Sequence, residues 1–243
     1  MIKKIRVRLI ALAIAIFERI FEIKVYLFYK KIFKNENLVI VDVGANKGQT
    51  INFFHRLNKK NFLFSFEPNP TLFKILKKKY KNNKNVKLFQ KGVSDQSTTR
   101  TFYENILHES STFEKLNMSS KYLKKKSMIL GVKLSEIIST SYPVKVINLN
   151  EFLNKEGITN FDILKIDVEG HEYNCLKGFF SQTNTLKVKL IQFEFHQDDM
   201  YERENKIDKF NDLLNFHGYY MKKRIKHSFG DFYDYFYTQR NIN

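Results

Sequence analysis

The stretch that decides the fold is "LVIVDVGANKGQT", residues 38–50. Val39 to Val43 is a β-branched apolar run suited to a central parallel strand buried on both faces. Asp42 stands near its end, and a loop of small residues follows. Gly44 and Gly48 permit positive φ and close approach of backbone to a ligand, and Asn46 is among the few other residues that enter the left-handed region readily. The spacing Gly44-x-x-x-Gly48 fits a dinucleotide fingerprint poorly. Lys47 precedes the second glycine and no Gly-Lys-Ser/Thr occurs, so a Walker loop fails too.

Outward from this loop, short strands alternate with helices. "FLFSFEP" at 62–68 reads as a second strand, and "TLFKILKKKY" as a helix with Leu72, Phe73, Leu76 and Tyr80 on one face. "NVKLFQKGVSD" reads as a third strand. "VKVINLNEFL", "FDILKIDVEG" and "LKVKLIQFEFH" restore strand character after an interruption, and "GYYMKKRI" with "DFYDYFYTQR" reads as a closing antiparallel hairpin around Gly230. Such alternation specifies an α/β domain with right-handed crossovers. Residues 96–143 break it and read as an insertion, with a hairpin around "TTRTFYEN" and a mobile basic segment around "KYLKKKS". The expected organisation is an N-terminal helical segment, 1–36, and one domain, 37–243.

Acids gather at the carboxyl ends of these strands, the edge at which open α/β sheets bind ligands. Glu67 ends the second strand about 20 residues beyond the first loop glycine, where an acid that holds ribose hydroxyls belongs. Asp95 follows the third strand, Asp167 and Glu169 the fourth, and Glu194 lies in the next. A carboxylate rim repels phosphate and favours a cation, since unit charges ~4 Å apart interact by roughly 4 kcal/mol at an effective dielectric near 20. S-adenosylmethionine carries a ribose, an adenine and a sulfonium without any phosphate, and suits this rim better than NAD or ATP.

"VDVGANKGQT", "FEPNP", "GVSD", "LKIDVEGHEYNCLKG" and "FEFH", in this order, resemble the FkbM family of S-adenosylmethionine-dependent methyltransferases. The resemblance covers residues 37–240. It implies a Rossmann-like, seven-stranded class I methyltransferase sheet, mostly parallel with the last strand antiparallel, and O-methylation of a sugar, surface glycan or secondary metabolite. It places Asp42, Gly44, Ala45, Asn46 and Gly48 around the methionine and ribose of the cofactor, Glu67 and Pro68 at the ribose diol, and the turn from Gly92 through Val93 and Ser94 to Asp95 along the adenine.

Methyl transfer to a hydroxyl gains from a general base, typically 10²- to 10⁴-fold. Candidates are Asp167, Glu169, His171, Glu194 and His196, with Asp167 first because it ends the fourth strand. Asp167, Glu169 and Glu194 also form a possible set of ligands for a hard divalent ion. Glu172 reads as a stabiliser of its helix N-terminus.

The whole chain of 243 residues is 43% hydrophobic and 15% aromatic, sufficient for one sizeable core. Its net charge of +17 points to anionic surroundings. RNA methylation is the second enzymatic reading, without a matching tetrad such as NPPY, so nucleic acid is not the expected partner. A non-catalytic membrane adaptor is the alternative outside the enzymes, and a homo-oligomer is compatible with either. The single cysteine, Cys175, excludes an intrachain disulfide and a thiolate zinc cluster, fits a cytoplasmic setting, and reads as a buried filler.

At the N-terminus, Ile10, Ile14, Phe17, Phe21, Val25, Phe28 and Ile32 recur at steps of three and four, one apolar helical stripe. Glu18, Arg19, Glu22 and Lys24 interrupt any bilayer-spanning run. The segment is read as an amphipathic helix that docks on its own domain or a second subunit, or lies through residues 1–33 on the inner face of an anionic membrane.

Overall fold

The computed structural model describes residues 19–34, 36–106, 110–182, 186–202, 206–227 and 231–239. In chain order its elements are α1 (19–33), β1 (Val39–Val43), α2 (Gln49–Leu57), β2 (Phe62–Phe66), α3 (Pro70–Tyr80), β3 (Val86–Phe89), β4 (Gly92–Ser94), β5 (Thr98–Asn105) and α4 (Lys121–Leu130). They continue as β6 (Ile138–Asn148), α5 (Leu149–Lys155), β7 (Ile163–Ile166), α6 (Glu172–Phe179), β8 (Leu190–His196), α7 (Ile207–Phe216), β9 (Tyr219–Lys226) and β10 (Phe232–Gln239).

Seven strands form one sheet in the order β3-β2-β1-β7-β8-β10-β9. β1 pairs in parallel with both β2 and β7, and β10 enters antiparallel between β8 and β9. The two-residue period of a strand sends Val41 and Val43 of β1 into one apolar cluster and Ile40 into the other, so the sheet is covered on both faces. The reversal of strand order between β1 and β7 opens a crevice at the carboxyl ends of the strands.

One face of the sheet carries a buried polar row. Asp42 pairs across the sheet with Ser65 on β2 and Lys165 on β7, and Lys165 pairs with Gln192 on β8. Ser65 Oγ donates to Asp42 Oδ2 at 3.0 Å. Above this row lies α1, whose Val25, Phe28, Tyr29 and Phe33 are buried against Phe53, Phe54 and Phe236. Each such side chain contributes roughly 1.5–3 kcal/mol on burial. The apolar stripe of α1 from Phe21 to Ile32 is thus spent on the domain, while Ile10, Ile14 and Phe17 lie outside the described residues. Among the described residues no helix is long and apolar enough to cross a membrane.

The middle of the chain differs from its sequence-based reading. "NVKLFQKGVSD" forms two strands, β3 at the edge of the large sheet and β4 in a separate three-stranded sheet of order β4-β6-β5. β5 pairs antiparallel with β6, so the hairpin expected around "TTRTFYEN" closes onto residues 138–148. The basic stretch read as mobile is helix α4, with Ser120 Oγ accepting from Leu123 N at 2.9 Å and Asp199 Oδ2 accepting from Lys121 N at 3.0 Å. Leu123, the one buried apolar residue among the described side chains of α4, packs with Leu116, Ile137, Met200 and Tyr201, and an anchor set amid lysines leaves no visible period. The closing hairpin is present as β9 and β10, while Gly230 lies outside the described residues.

Candidate active site

A cavity of about 660 Å³ opens at the crevice between β1 and β7. Its lining runs from Glu67, Pro68, Leu72 and Val93 past Gly44 and Asn46 to Asp167, Glu169, Glu194 and His227. Gly44, Asn46 and Gly48 all have positive φ, as their residue types led us to expect. The demand for glycine at position 44 comes from the protein itself: a Cβ there would lie 1.8 Å from the Asp167 carbonyl oxygen. At Gly48 it would lie 2.5 Å from the Tyr80 hydroxyl, which donates to the Gly48 carbonyl at 3.0 Å. The turn is therefore clamped between β7 and α3 before any ligand arrives.

Glu67 is 5% exposed. One carboxylate oxygen accepts from Asn46 N at 2.7 Å and the other from Asn69 N at 2.8 Å. Burial pushes its pKa up to about 7, against the two backbone hydrogen bonds. Each oxygen has a second lone pair, so the group can also accept from a diol. Asp42 lies beneath the turn, fully buried, its pKa pushed up to about 6 by burial and held back by the charge of Lys165. Ala45 is buried and lies outside the cavity lining.

Of the residues assigned to the adenine, Val93 lines the cavity and Ser94 and Asp95 do not. Ser94 is buried, with its hydroxyl 2.9 Å from His171 Nε2. Asp95 pairs with Arg100 at 3.0 Å and Lys177 at 3.4 Å. Gly92 of the same turn does line the cavity, with Lys91 before it; the ring of Phe113 lies beside Gly92, and Phe102 joins it in the lining from the insertion. No local period marked these two phenylalanines, because they reach the site through the second sheet.

At the other end, Asp167 Oδ2 lies 2.9 Å from Lys165 Nζ. Although burial opposes it, that ammonium holds the Asp167 carboxyl below its ordinary range. Glu169 adopts φ 56° and accepts from the Tyr201 hydroxyl at 2.6 Å. Burial pushes Glu194 up to about 7, with the charge of Asp167 adding and His196 opposing. The Glu194 carboxylate stands between two imidazoles, with His196 Nε2 3.4 Å from one oxygen and His227 Nε2 3.6 Å from the other. Asp198 lies 3.3 Å from His196 Nδ1; despite burial, hydrogen bonds to Asp198 and Glu194 raise the His196 pKa well above its ordinary value.

His171 is separate from this group. It is fully buried, with Nδ1 2.6 Å from Glu114 and Nε2 on Ser94, and lines no part of the cavity. His196 stands behind Glu194, outside the lining. Glu172, buried, accepts from Val168 N and Gly170 N and so fixes the loop that carries Glu169. Cys175 is a buried thiol that donates to the Val93 carbonyl, and burial raises its pKa well above the usual value. The divalent-ion set expected from sequence is rearranged: Glu169, Glu194 and His196 bring ligand atoms within 4.8 Å of one another, as do Glu194, His227 and Asp234, and Asp167 belongs to neither because it is turned to Lys165.

Lys165 and His227 were missed in the sequence. A lone lysine inside the apolar run "FDILKID" is the available signal for the first. His227 follows β9 in a basic stretch and carries none.

A sheet of this order, with a clamped glycine turn after β1 and a buried acid after β2 on one cavity, defines a Rossmann-like S-adenosylmethionine-dependent methyltransferase. Residues 42–221 match the model of the methyltransferase FkbM domain, and the chain belongs to that family. It is 24% identical over 179 residues to the 2-O-methyltransferase NoeI of Sinorhizobium fredii, covering 72% of this chain and 70% of that protein. It is 26% identical over 187 residues to the methyltransferase sdnD of Sordaria araneosa, covering 65% and 70%. In fold it matches magnesium protoporphyrin IX methyltransferase from Synechocystis PCC 6803, with TM-score 0.50 and 8% identity over 92% of this chain and 80% of that one.

Proposed function

We propose that the protein transfers a methyl group from S-adenosylmethionine to a hydroxyl oxygen of a sugar, surface glycan or related metabolite, with Glu194 as general base. The observation that carries this reading is the position of Glu194: it lines the same cavity as Glu67, and burial pushes its pKa up to about 7. A base tuned near the working pH is the efficient one. Asp167, first among the sequence candidates, is kept ionised by Lys165 and is the weaker proton acceptor. The Sinorhizobium relative, a 2-O-methyltransferase, supports oxygen as the acceptor atom.

The residues present fit the cofactor. Glu67 would hold the ribose diol, the turn carrying Gly44 and Asn46 would bring its backbone to the methionine and ribose, and Phe66, Leu72 and Val93 would supply apolar surface beside the adenine. Bound here, the cofactor supplies an electrophilic methyl carbon on a sulfonium. The ionised Asp167 and the other acids of the rim favour its positive charge. Glu194 would take the proton of the acceptor hydroxyl, whose oxygen gains the methyl group as the sulfur–carbon bond breaks and a neutral thioether is left, and Phe102 and Phe113 limit water at the cavity wall.

Contact of α1 with an anionic membrane surface is part of this reading, supported by the exposed Ile20, Ile23 and Leu27 beside exposed Lys24, Lys30 and Lys31. Retention on vesicles containing an anionic lipid that survives removal of residues 1–33 counts against it.

The test uses tritium-labelled methyl donor with a panel of mono- and oligosaccharides. Glu194→Gln is expected to lower turnover about 10²- to 10⁴-fold with the Kd for S-adenosylmethionine unchanged. Unaltered turnover in that variant, or no binding of the cofactor to the unmodified protein, overturns the proposal.

A further inference from the structure

We propose that α1 is a working wall of the acceptor site, in which Phe21 and Tyr29 position the His227 imidazole beside Glu194. This rests on the reading of Glu194 as the base. All four outlying participants, Phe21, Tyr29, His227 and Asp234, lie beyond the residues matched by the family domain, 42–221.

Two independent contacts converge on His227. The first is a ring stack. Phe21 of α1 stacks on the imidazole at a centroid distance of 3.7 Å and an interplanar angle of 30°. Phe232 packs against the same ring at 4.5 Å and also stacks on His196 at 4.9 Å. Phe21, His227 and Phe232 all line the cavity together with Arg19 and Glu22 of α1. The imidazole thus contacts two aromatic rings, an arrangement that favours its cationic form.

The second is a buried chain of hydrogen bonds. The Tyr29 hydroxyl donates to Gln192 Oε1. Gln192 Nε2 donates to Asp234 Oδ2 at 2.6 Å, and Asp234 Oδ1 lies 3.2 Å from His227 Nε2. Tyr29, Gln192 and Asp234 are 1%, 4% and 7% exposed, so no solvent substitutes for a lost member. Although burial opposes it, the hydrogen bond and charge of Asp234, with the charge of Glu194, hold His227 above its ordinary pKa.

The arrangement gives α1 a task that docking alone does not require. The stack fixes the plane of the ring and the chain fixes which way its Nε2 points, towards the Asp234 and Glu194 carboxylates. Glu194 then meets the acceptor hydroxyl with its other neighbour already in place, so orientation is settled before substrate binds.

The experiment uses the full chain labelled with 15N in its six histidines, with His227 signals assigned from His227→Gln. Phe21→Ala and, separately, Tyr29→Phe are expected to move the His227 ring nitrogen resonances, and Phe21→Tyr to restore them. Turnover with the responding acceptor of the saccharide panel falls about 10- to 100-fold in Phe21→Ala, while the Kd for S-adenosylmethionine stays within about twofold, because Phe21 lies at the end of the cavity away from Glu67. His227 resonances unchanged in both variants overturn the inference. So does His227→Gln turning over as the unmodified protein does while Glu194→Gln does not, an outcome that leaves the proposed function standing. Failure of Glu194→Gln to slow the reaction removes the proposed function instead, while the resonances still report on α1.

Discussion

Lys165 Nζ lies 2.9 Å from Asp167 Oδ2, at the centre of the polar row that crosses the sheet from Ser65 to Gln192. The same ammonium acts on Asp42 and Asp234, and these three acids raise its own pKa despite burial. One largely buried cation therefore compensates carboxylates at both the floor and the rim of the site. Removing it costs about 3–5 kcal/mol, because Asp42 and Asp234 are buried and lose their counter-charge, while the Asp167 side chain, 40% exposed, adds little. Lys165→Met is expected to lose stability on that scale, and addition of Asp42→Asn to return part of it. Denaturant unfolding of the two variants checks this; equal stability of Lys165→Met and the unmodified protein sinks it.

Glu67 spends one lone pair of each oxygen on a backbone N–H, from Asn46 and Asn69. Glu67→Ala therefore loosens the turn as well as removing the diol acceptor. We expect the Kd for S-adenosylmethionine to rise at least about tenfold, about 1.4 kcal/mol. Titration calorimetry decides; undiminished affinity places the ribose elsewhere.

The acids of the cavity make stability depend on pH. Burial raises Glu67 from 4.5 to about 7, Glu194 from 4.5 to about 7, and Asp42 from 3.8 to about 6. A group whose pKa is higher in the folded than in the unfolded chain contributes stability below its unfolded value and loses it as pH rises through the folded value. His196 and His227, also raised, act in the same sense. The protein without cofactor is thus expected to melt at lower temperature at pH 8 than at pH 5.5. The slope should be shallower in the Glu67→Gln Glu194→Gln double variant. A melting temperature that climbs over this window, or an identical slope in the double variant, contradicts the assignment.

Gly44 has φ 94° and no room for a Cβ against the Asp167 carbonyl. Gly44→Ala combines a disfavoured dihedral with a backbone clash, and should cost more than the roughly 1 kcal/mol of an ordinary glycine substitution. Gly157 also has positive φ, 70°, but open space around it. Gly157→Ala is accordingly the milder change, and thermal melts of the pair test the ordering.

His171 joins Ser94 and Glu114 in the interior and touches no part of the cavity. His171→Ala is expected to lower stability by about 1–3 kcal/mol through the buried partners it leaves unpaired, with unchanged cofactor affinity in the folded fraction. Loss of affinity without loss of stability would return this histidine to the site.

Much of the scaffold was legible from local pattern. Val39 to Val43 declared a central strand, the alternation through residue 89 declared the parallel sheet, and the positive-φ turn followed from Gly44, Asn46 and Gly48. These features depend on neighbours within a few residues, where steric limits and burial period act directly on the sequence. Glu67 and Glu194 were placed at the crevice for a related reason: strand ends in a parallel sheet all lie along one edge.

What the sequence by itself determined is thus the strand-and-helix order, the turn after β1 and the acidic rim. Only the tertiary structure decided which of those acids face the cavity, that Ser94 and His171 meet in the interior while Asp95 turns to Arg100 and Lys177, and that Phe21 and His227 meet 3.7 Å apart across more than 200 residues of chain. The physical reason is that protonation and ring contacts depend on distance and burial in space. Helix α1 and the β9–β10 pair bring to one wall side chains whose sequence neighbours carry no trace of the meeting.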